Sequence, residues 1–202
     1  MARQLLETLR MKILSSLAFS LFALSACATD GGFTDRASQV EGIYRVDSHL
    51  LNEASCSPGG AKVNDTDAFA FAKRSEVFGH ELLQIYSCKS LADCRQKAAQ
   101  KQLSGAIDFG FTLSDVDGEA LTGTQATTGF TSGGGETCTR PELSSIVLDL
   151  EGDALHLTKS TRIGKDYRAE DGFCTTDKGR AATEDAPCSQ METLTATMLE
   201  AL

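Results

Sequence analysis

Alternating apolar and polar positions recur along most of the chain beyond residue 41 and predict a series of short β-strands. This alternation is typical of strands that have one face on a core and the other in water. In the first strand, Tyr44, Val46 and Leu50 share one face. The predicted strands cover residues 42–50, 68–73, 80–88, 106–113, 119–130, 143–150 and 154–163. The last two have the pattern of a hairpin around Glu151-Gly152-Asp153.

Residues 90–103 have the composition and spacing of a helix. Alanine, glutamine, lysine and arginine favour helices, and Leu91, Cys94 and Ala98 fall on one stripe. Ser90 stands before this stripe and is the predicted N-cap, because its hydroxyl oxygen can accept a hydrogen bond from a free N–H of the first turn.

The end of the chain predicts a second helix. Residues 189–202 place four apolar side chains three or four positions apart, namely Met191, Leu194, Met198 and Leu202. The strands show no regular βαβ alternation, which favours an antiparallel fold. We therefore expect a mainly β domain, either an antiparallel barrel of lipocalin-like shape or a sandwich. It would carry a short insert helix and a C-terminal helix.

The first 27 residues have the pattern of an export signal. Basic residues at Arg3, Arg10 and Lys12 precede an apolar run over residues 13–24. A run of this length suits a signal-peptide core and is shorter than the roughly 20 residues needed to span a bilayer. Because Met11 would also make a conventional start, the true first residue is either Met1 or Met11.

The signal ends in Leu24-Ser25-Ala26-Cys27, which resembles the lipobox of bacterial lipoproteins at all four positions. The resemblance implies that Cys27 is acylated and becomes the new N-terminus after cleavage. Two or three acyl chains hold a protein firmly to a membrane. Ala28 follows the cysteine, where aspartate favours inner-membrane retention in Gram-negative relatives, so the resemblance implies an outer-membrane anchor.

Beyond the signal, residues 28–40 are rich in small and polar side chains and predict a flexible tether. Residues 41–202 are then expected to form a single extracytoplasmic domain. Without residues 1–26 the chain has 16 Lys and Arg against 27 Asp and Glu, a net charge of −11. Nucleic-acid binding proteins carry basic patches, so this charge argues against a nucleic-acid partner.

Six cysteines follow Cys27, and in an exported chain an even number predicts three disulfides. They are Cys56, Cys88, Cys94, Cys138, Cys174 and Cys188. Closeness in sequence favours Cys88–Cys94 and Cys174–Cys188, which leaves Cys56 with Cys138, although fifteen pairings are possible. A metal site is the alternative, but no C-x-x-C or H-x-x-x-H spacing accompanies these cysteines, so neither metal nor cofactor is expected.

Residues of the types used in catalysis form no recognisable motif. His49, His80 and His156 all lie in predicted strands and are expected to be exposed. No G-x-S-x-G or S-x-x-K pattern is present, so no catalytic residue is assigned. The glycine-rich residues 132–135 lack the lysine of a phosphate-binding loop and are interpreted as a linker loop.

The lipobox is followed by a G-x-Y-x-V-x-x-H-x-x-N motif and spaced cysteines. The motif residues are Gly42, Tyr44, Val46, His49 and Asn52. This order resembles the uncharacterised cysteine-rich lipoproteins of myxobacteria, a resemblance that implies no activity. His49 and Asn52 either belong to a binding site or tie down the loop that leads to Cys56, and the second interpretation is preferred.

Three functions are compatible with these observations. The preferred one is a non-enzymatic envelope lipoprotein that binds a small ligand or a protein partner, because clustered catalytic residue types are absent from the sequence. The second is an envelope hydrolase whose site combines distant residues, with a histidine close to carboxylates or a metal. The third is a secreted inhibitor or structural module that uses residues 164–187 as its contact surface.

Overall fold

The computed structural model describes residues 31–100, 106–131 and 137–202, within which the chain forms three helices and eleven strands. The helices are α1 (Gly31–Val40), α2 (Leu91–Ala98) and α3 (Thr176–Thr183). The strands are β1 (Gly42–Asn52), β2 (Ala61–Lys62), β3 (Phe69–Val77), β4 (His80–Cys88), β5 (Gly110–Leu113), β6 (Asp115–Asp117), β7 (Ala120–Thr131), β8 (Thr137–Glu151), β9 (Ala154–Ile163), β10 (Tyr167–Arg168) and β11 (Cys188–Ala201). The predicted signal peptide, Cys27 and the glycine-rich loop lie outside the described residues.

The long strands form a nearly closed antiparallel barrel, which confirms the predicted mainly β fold. Their hydrogen-bonded order is β5-β4-β3-β1-β11-β9-β8-β7-β6. β5 and β6 stand at opposite ends of this order, yet only Ser114 separates them in the chain. β5 pairs with β4 up to Leu113, and β6 pairs with β7 from Asp115. The two edges of the sheet therefore come together at Ser114.

A glycine in β7 makes the closure possible. A side chain at Gly123 would overlap the carbonyl group of Thr112 in β5. The backbone of Ser114 also donates a 2.8 Å hydrogen bond to the carbonyl oxygen of Thr122. Since only glycine permits this close approach of two backbones, β5 and β7 come together here without a clash.

The two ends of the barrel are built differently. At the first, called the hairpin end below, tight turns join neighbouring strands at residues 77–80, 117–120 and 151–154. At the second, called the loop end, the connections are long, and their described parts are residues 53–68, 89–100, 106–109 and 164–187. β1 runs from the hairpin end at Gly42 to the loop end at Asn52, and β11 returns beside it.

Apolar side chains fill the barrel towards the hairpin end, and α1 covers them. Ala37 and Val40 of α1 are buried in this core, and Tyr44 donates a 2.6 Å hydrogen bond to the carbonyl oxygen of Val40. Fully buried core side chains from the strands include Leu83, Leu121, Leu148, Leu155 and Leu157. Burying one such leucine contributes about 1.5–3 kcal/mol, so this part of the molecule supplies much of the hydrophobic stabilisation.

The predicted insert helix forms over Leu91–Ala98, which is shorter than the predicted residues 90–103, and packs on the outer wall of the barrel. Ser90 is its N-cap, with the hydroxyl oxygen accepting a hydrogen bond from the backbone of Asp93. Cys94 and Ala98 of α2 are buried against Phe71 of β3. In β3 the small side chains of Ala70 and Ala72 therefore face the barrel interior, whereas Phe71 faces α2 on the outside of the barrel.

The predicted C-terminal helix is wrong, since these residues form strand β11 between β1 and β9. Leu194 and Ala196 are buried in the barrel core. The spacing of Leu194 and Met198 fits either a helix face or one face of a strand. The alternating threonines of this segment, which favour strands, and pairing with two neighbouring strands decide for β structure.

The predicted tether differs from the structure over residues 31–40, which form α1 instead. The compact unit begins at Phe33, eight residues before the predicted start of the domain. Composition is a weak guide here because the helix is held by tertiary contacts of Ala37 and Val40 with the core rather than by its own preference.

Residues 164–187, at the loop end, contain β10 and α3, neither of which was predicted. β10 pairs with the start of β8. α3 begins at its N-cap Thr175 and lies against β7, where Gly179 is close to Thr128. The segment is thus an ordered excursion from the barrel rather than an open loop.

All six described cysteines pair, as predicted, but two of the three predicted pairings are wrong. The observed disulfides are Cys56–Cys188, Cys88–Cys94 and Cys138–Cys174, with Cα–Cα distances of 5.8, 5.3 and 5.5 Å. Cys56 and Cys188 are far apart in sequence, but they follow β1 and start β11, which are neighbouring strands. For Cys56 and Cys188, strand neighbourhood rather than sequence distance therefore determines the pairing.

Candidate functional site

The structure does not bring the three histidines together. His80 and His156 are exposed and lie towards the hairpin end, as expected for exposed strand residues. The side chain of His49, in contrast, is 2% exposed and faces the interior near the loop end. The prediction of an exposed side chain is therefore wrong for His49.

An irregularity in β1 explains the inward position of His49. Val46 pairs with Ala196 and Ser48 pairs with Thr195, so Asp47 is an extra residue in β1. The extra residue reverses which side chains face the core, because side chains alternate along a strand. Tyr44 and Val46 therefore face the core before Asp47, whereas His49 rather than Leu50 faces it afterwards.

His49 lies between two carboxylates. Its Nδ1 is 2.7 Å from Oδ2 of Asp65, in the connection between β1 and β3. Its Nε2 is 2.7 Å from Oε1 of Glu192 in β11. The second carboxylate oxygen of Glu192 accepts a 3.1 Å hydrogen bond from Lys159 in β9, directly across the strand pair. These four residues are called the buried ion cluster below.

Aromatic rings form the apolar wall of the buried ion cluster. The His49 ring meets Phe109 edge-on with a centroid distance of 4.9 Å, and Phe111 lies 6.5 Å away. The ammonium group of Lys159 is 5.9 Å from the centre of the Phe111 ring. The cluster thus sits where the interior changes from the apolar core to polar side chains.

Both ring nitrogens of His49 face carboxylates, which favours the imidazolium form. Burial opposes the charge, but the hydrogen bonds to Glu192 and Asp65 outweigh it and raise the pKa of His49. For Glu192, burial acts to raise the pKa, and contacts with His49 and Lys159 overcome it and lower the pKa. Two carboxylates that accept from both nitrogens require two donors, and only the protonated ring supplies them.

This arrangement restricts what His49 can do chemically. A general base needs one ring nitrogen free for the proton of a substrate or nucleophile. Here both nitrogens are occupied by carboxylates at 2.7 Å. The buried ion cluster connects β1, β9, β11 and the β1–β3 connection, so its evident effect is to hold the loop end together.

Asn52 also ties down the loop that leads to Cys56. Its side-chain amide donates hydrogen bonds to Ser55 Oγ and to the Ser57 carbonyl oxygen, at 3.0 and 3.1 Å. Its carbonyl oxygen accepts one from the backbone of Ala54 at 3.1 Å. With His49 bound to Asp65, the contacts agree with the interpretation that His49 and Asn52 fasten this loop.

Two further aspartates, Asp67 and Asp108, lie close in sequence to Asp65 and Phe109, respectively. Asp108 accepts hydrogen bonds from the backbone and hydroxyl of Thr66 and from the backbone of Asp67, and the bonds to Thr66 lower the pKa of Asp108. Asp67 is 4% exposed, and neither of its carboxylate oxygens has a hydrogen-bond partner among the described residues. No group of three or more His, Cys, Asp or Glu in the described ranges is arranged to hold a metal ion.

Sequence reasoning missed Asp65, Lys159 and Glu192. The signal for Lys159 was present, because it follows Leu155 and Leu157 at every second position of β9 and must share their inward face. A lysine on an inward face requires a buried anionic partner. Glu192 was concealed by the helical interpretation of its segment, and Asp65 lies in a loop without periodicity.

The described residues also form surface grooves, including one at each end of the barrel. One, of about 270 Å³, lies at the hairpin end between α1 and the β8–β9 turn and is lined by Arg36, Val40, Leu148 and His156, among others. The other, of about 440 Å³, lies at the loop end beside β10 and α3, with Tyr167 and Lys178 in its walls. The first is smaller than a typical ligand pocket.

None of the helices in the described part of the chain is long and apolar enough to cross a membrane. Comparison of the chain with protein families, with curated proteins and with solved structures found no match in any of the three.

Proposed function

We propose that the chain is a bacterial envelope lipoprotein, anchored by acyl chains on Cys27, whose barrel is a non-enzymatic module that binds a protein partner. The anchor is supported by Leu24-Ser25-Ala26-Cys27 and the short apolar run before it. The binding surface is the excursion over residues 164–187 at the loop end.

One observation carries the choice of surface. Phe173 is 66% exposed, although the backbone on both sides of it is fixed. Its N–H donates to Asp171 at 3.3 Å, and its carbonyl oxygen accepts from Lys178 at 3.1 Å. Cys174 follows directly and is joined to Cys138 of β8.

An exposed aromatic side chain on a held backbone is well suited to binding a protein. Aromatic anchors that fill a pocket of the partner dominate many interfaces, and a rigid loop loses little entropy when it binds. The groove beside β10 adds a concave surface next to this anchor. The alternative of an apolar ligand inside the barrel is less favoured, because core side chains occupy the interior towards the hairpin end.

The partner is identified by site-specific photo-crosslinking in the envelope and then tested quantitatively. A photoreactive phenylalanine analogue at Phe173 should give one discrete adduct, whereas the same analogue at exposed Phe78 should not give that adduct. The Kd of the purified partner for the intact protein should rise about tenfold or more for Phe173→Ser. An unchanged Kd would reject the excursion as the binding surface.

The anchor is tested independently. Cys27→Ala should move the protein from the detergent-soluble membrane fraction to the soluble envelope fraction, and the acyl mass should vanish from the denatured protein. If Cys27→Ala were membrane-bound in the same amount as the native protein, the proposed anchor would be wrong. That result would not test the proposed binding surface at Phe173.

A second candidate is an envelope hydrolase that uses His49 beside its two carboxylates, although both ring nitrogens of His49 are occupied in this structure. Its test is His49→Gln, measured as hydrolysis of a panel of ester and peptide substrates by the folded protein. Activity in the native chain that is lost in this variant at unchanged stability would support catalysis. The third candidate, an inhibitor or structural module, would use the same excursion and predicts that the crosslinked partner is a hydrolase or a wall component.

A further inference from the structure

The tip of the β3–β4 hairpin carries the most exposed large apolar side chain among the described residues. Phe78 is 99% exposed, and the neighbouring Val77 is 40% exposed. Phe78 and Gly79 both have positive φ, at 52° and 80°. Two-residue hairpin turns of this kind favour Asn or Asp followed by Gly, because a bulky residue is strained at positive φ. A phenylalanine here has no packing partner among the described residues and no local conformational reason.

This tip lies at the hairpin end, beside the helix that leads back to Cys27. Thr34 of α1 donates a 2.6 Å hydrogen bond to Glu81, which is next to the turn. Glu41, directly after α1, binds Arg74 of β3 at 2.7 Å. The start of α1 is four residues beyond Cys27, and four residues reach at most about 14 Å. An acylated Cys27 therefore keeps the hairpin end close to the bilayer.

The other two turns of the hairpin end are acidic. They contain Asp117, Gly118 and Glu119 in one case, and Glu151, Gly152 and Asp153 in the other. Charged carboxylates are costly in the acyl region, whereas a phenylalanine at the interface is favourable. Of these three described turns, only the β3–β4 turn is suited to enter a lipid surface.

We propose that Val77 and Phe78 insert into the lipid bilayer that holds the acylated Cys27, and so orient the barrel with its loop end away from the membrane. The inference rests on the proposed lipid anchor and commits to lipid as the occupant of this tip. The excursion with Phe173 then projects from the membrane, where a protein partner can reach it.

The test uses the absence of tryptophan from the native chain. Phe78→Trp and Phe173→Trp each introduce a single fluorophore at an exposed phenylalanine, and the second serves as the matched control at the loop end. The full acylated protein is reconstituted into zwitterionic phosphatidylcholine vesicles with brominated acyl chains. Acylation at Cys27 is verified by the mass of the denatured protein.

The expected result is a blue-shifted emission of Trp at position 78 that the brominated lipids quench by about half, with little quenching at position 173. Equal, weak quenching at both positions in verified acylated protein would overturn the inference while the anchor stands. A missing acyl mass would instead overturn the anchor. A third outcome is an emission at position 78 that is blue-shifted in proportion to protein concentration but is not quenched by the brominated lipids. This outcome would assign the tip to a second copy of the chain and would also overturn the inference.

Discussion

The hairpin end and the loop end of the barrel are stabilised by different means. Towards the hairpin end, short turns join strands whose side chains form the apolar core, and α1 covers it. At the loop end, long connections are held by all three described disulfides and by the buried ion cluster around His49. Where the chain cannot bury enough apolar surface, covalent and ionic links replace packing.

The largest expected effect comes from the disulfide that closes the longest loop. Replacing Cys56 and Cys188 together by serine should lower the free energy of unfolding by about 5 kcal/mol, since the bridge spans 132 residues. Replacing Cys88 and Cys94 by alanine should cost about 2 kcal/mol, because that bridge spans 6 residues. Denaturant unfolding measures both, and equal losses would refute the dependence on loop length.

Removal of His49 should be the next largest effect. His49→Ala leaves Asp65 and Glu192 as buried carboxylates without their shared partner and should cost about 3–4 kcal/mol. His156→Ala is the control at an exposed position of β9 and should change stability by less than about 0.5 kcal/mol. Similar unfolding midpoints for the two variants would show that the buried ion cluster does not stabilise the loop end.

At the hairpin end, Tyr44→Phe tests the attachment of α1. The variant removes the buried 2.6 Å hydrogen bond to the Val40 carbonyl oxygen and should cost about 1–2 kcal/mol. Tyr86→Phe, which removes a half-buried contact with Gln84, should cost less. Hydrogen exchange of the α1 amides should accelerate only in Tyr44→Phe. If the α1 amides of Tyr44→Phe were as protected as those of the native protein, the Tyr44 hydrogen bond would not stabilise α1.

The smallest expected effect is a dependence of stability on pH that originates at the loop end. The pKa of His49 is raised by folding, so its contribution is complete below its unfolded pKa of about 6.5 and is lost as pH rises through the folded value. The pKa of Glu192 is lowered, so its contribution is present above about 4.5 and is lost as pH falls through the folded value.

These two shifts predict that the cluster stabilises the fold most between about pH 4.5 and 6.5. Urea unfolding is measured at pH values within and above this range. The free energy of unfolding of the native chain should decline on the alkaline side, whereas that of His49→Gln should depend less on pH. A native profile that keeps rising with pH above neutrality would contradict the assignment of an imidazolium to His49.

Elements built from local contacts were predicted well. Residues 80–88 form β4 at the predicted bounds, because their alternation and the adjacent turn both act within a few residues. Ser90 caps α2 for the same reason. The candidate site was predicted only in part, since His49 was named but its inward direction depends on the extra residue Asp47 in the pairing of β1 with β11.

The sequence by itself determined the strand-rich character, the insert helix, the even set of six cysteines beyond Cys27 and the lipobox-like segment, because each depends on nearby residues. The tertiary structure decided the rest. Leu194 and Met198 became part of a strand because β11 lies between β1 and β9, and Cys56 joined Cys188 because those strands are neighbours. Asp65 and Glu192 became partners of His49 for the same physical reason, which is that contacts between distant segments depend on how the barrel closes.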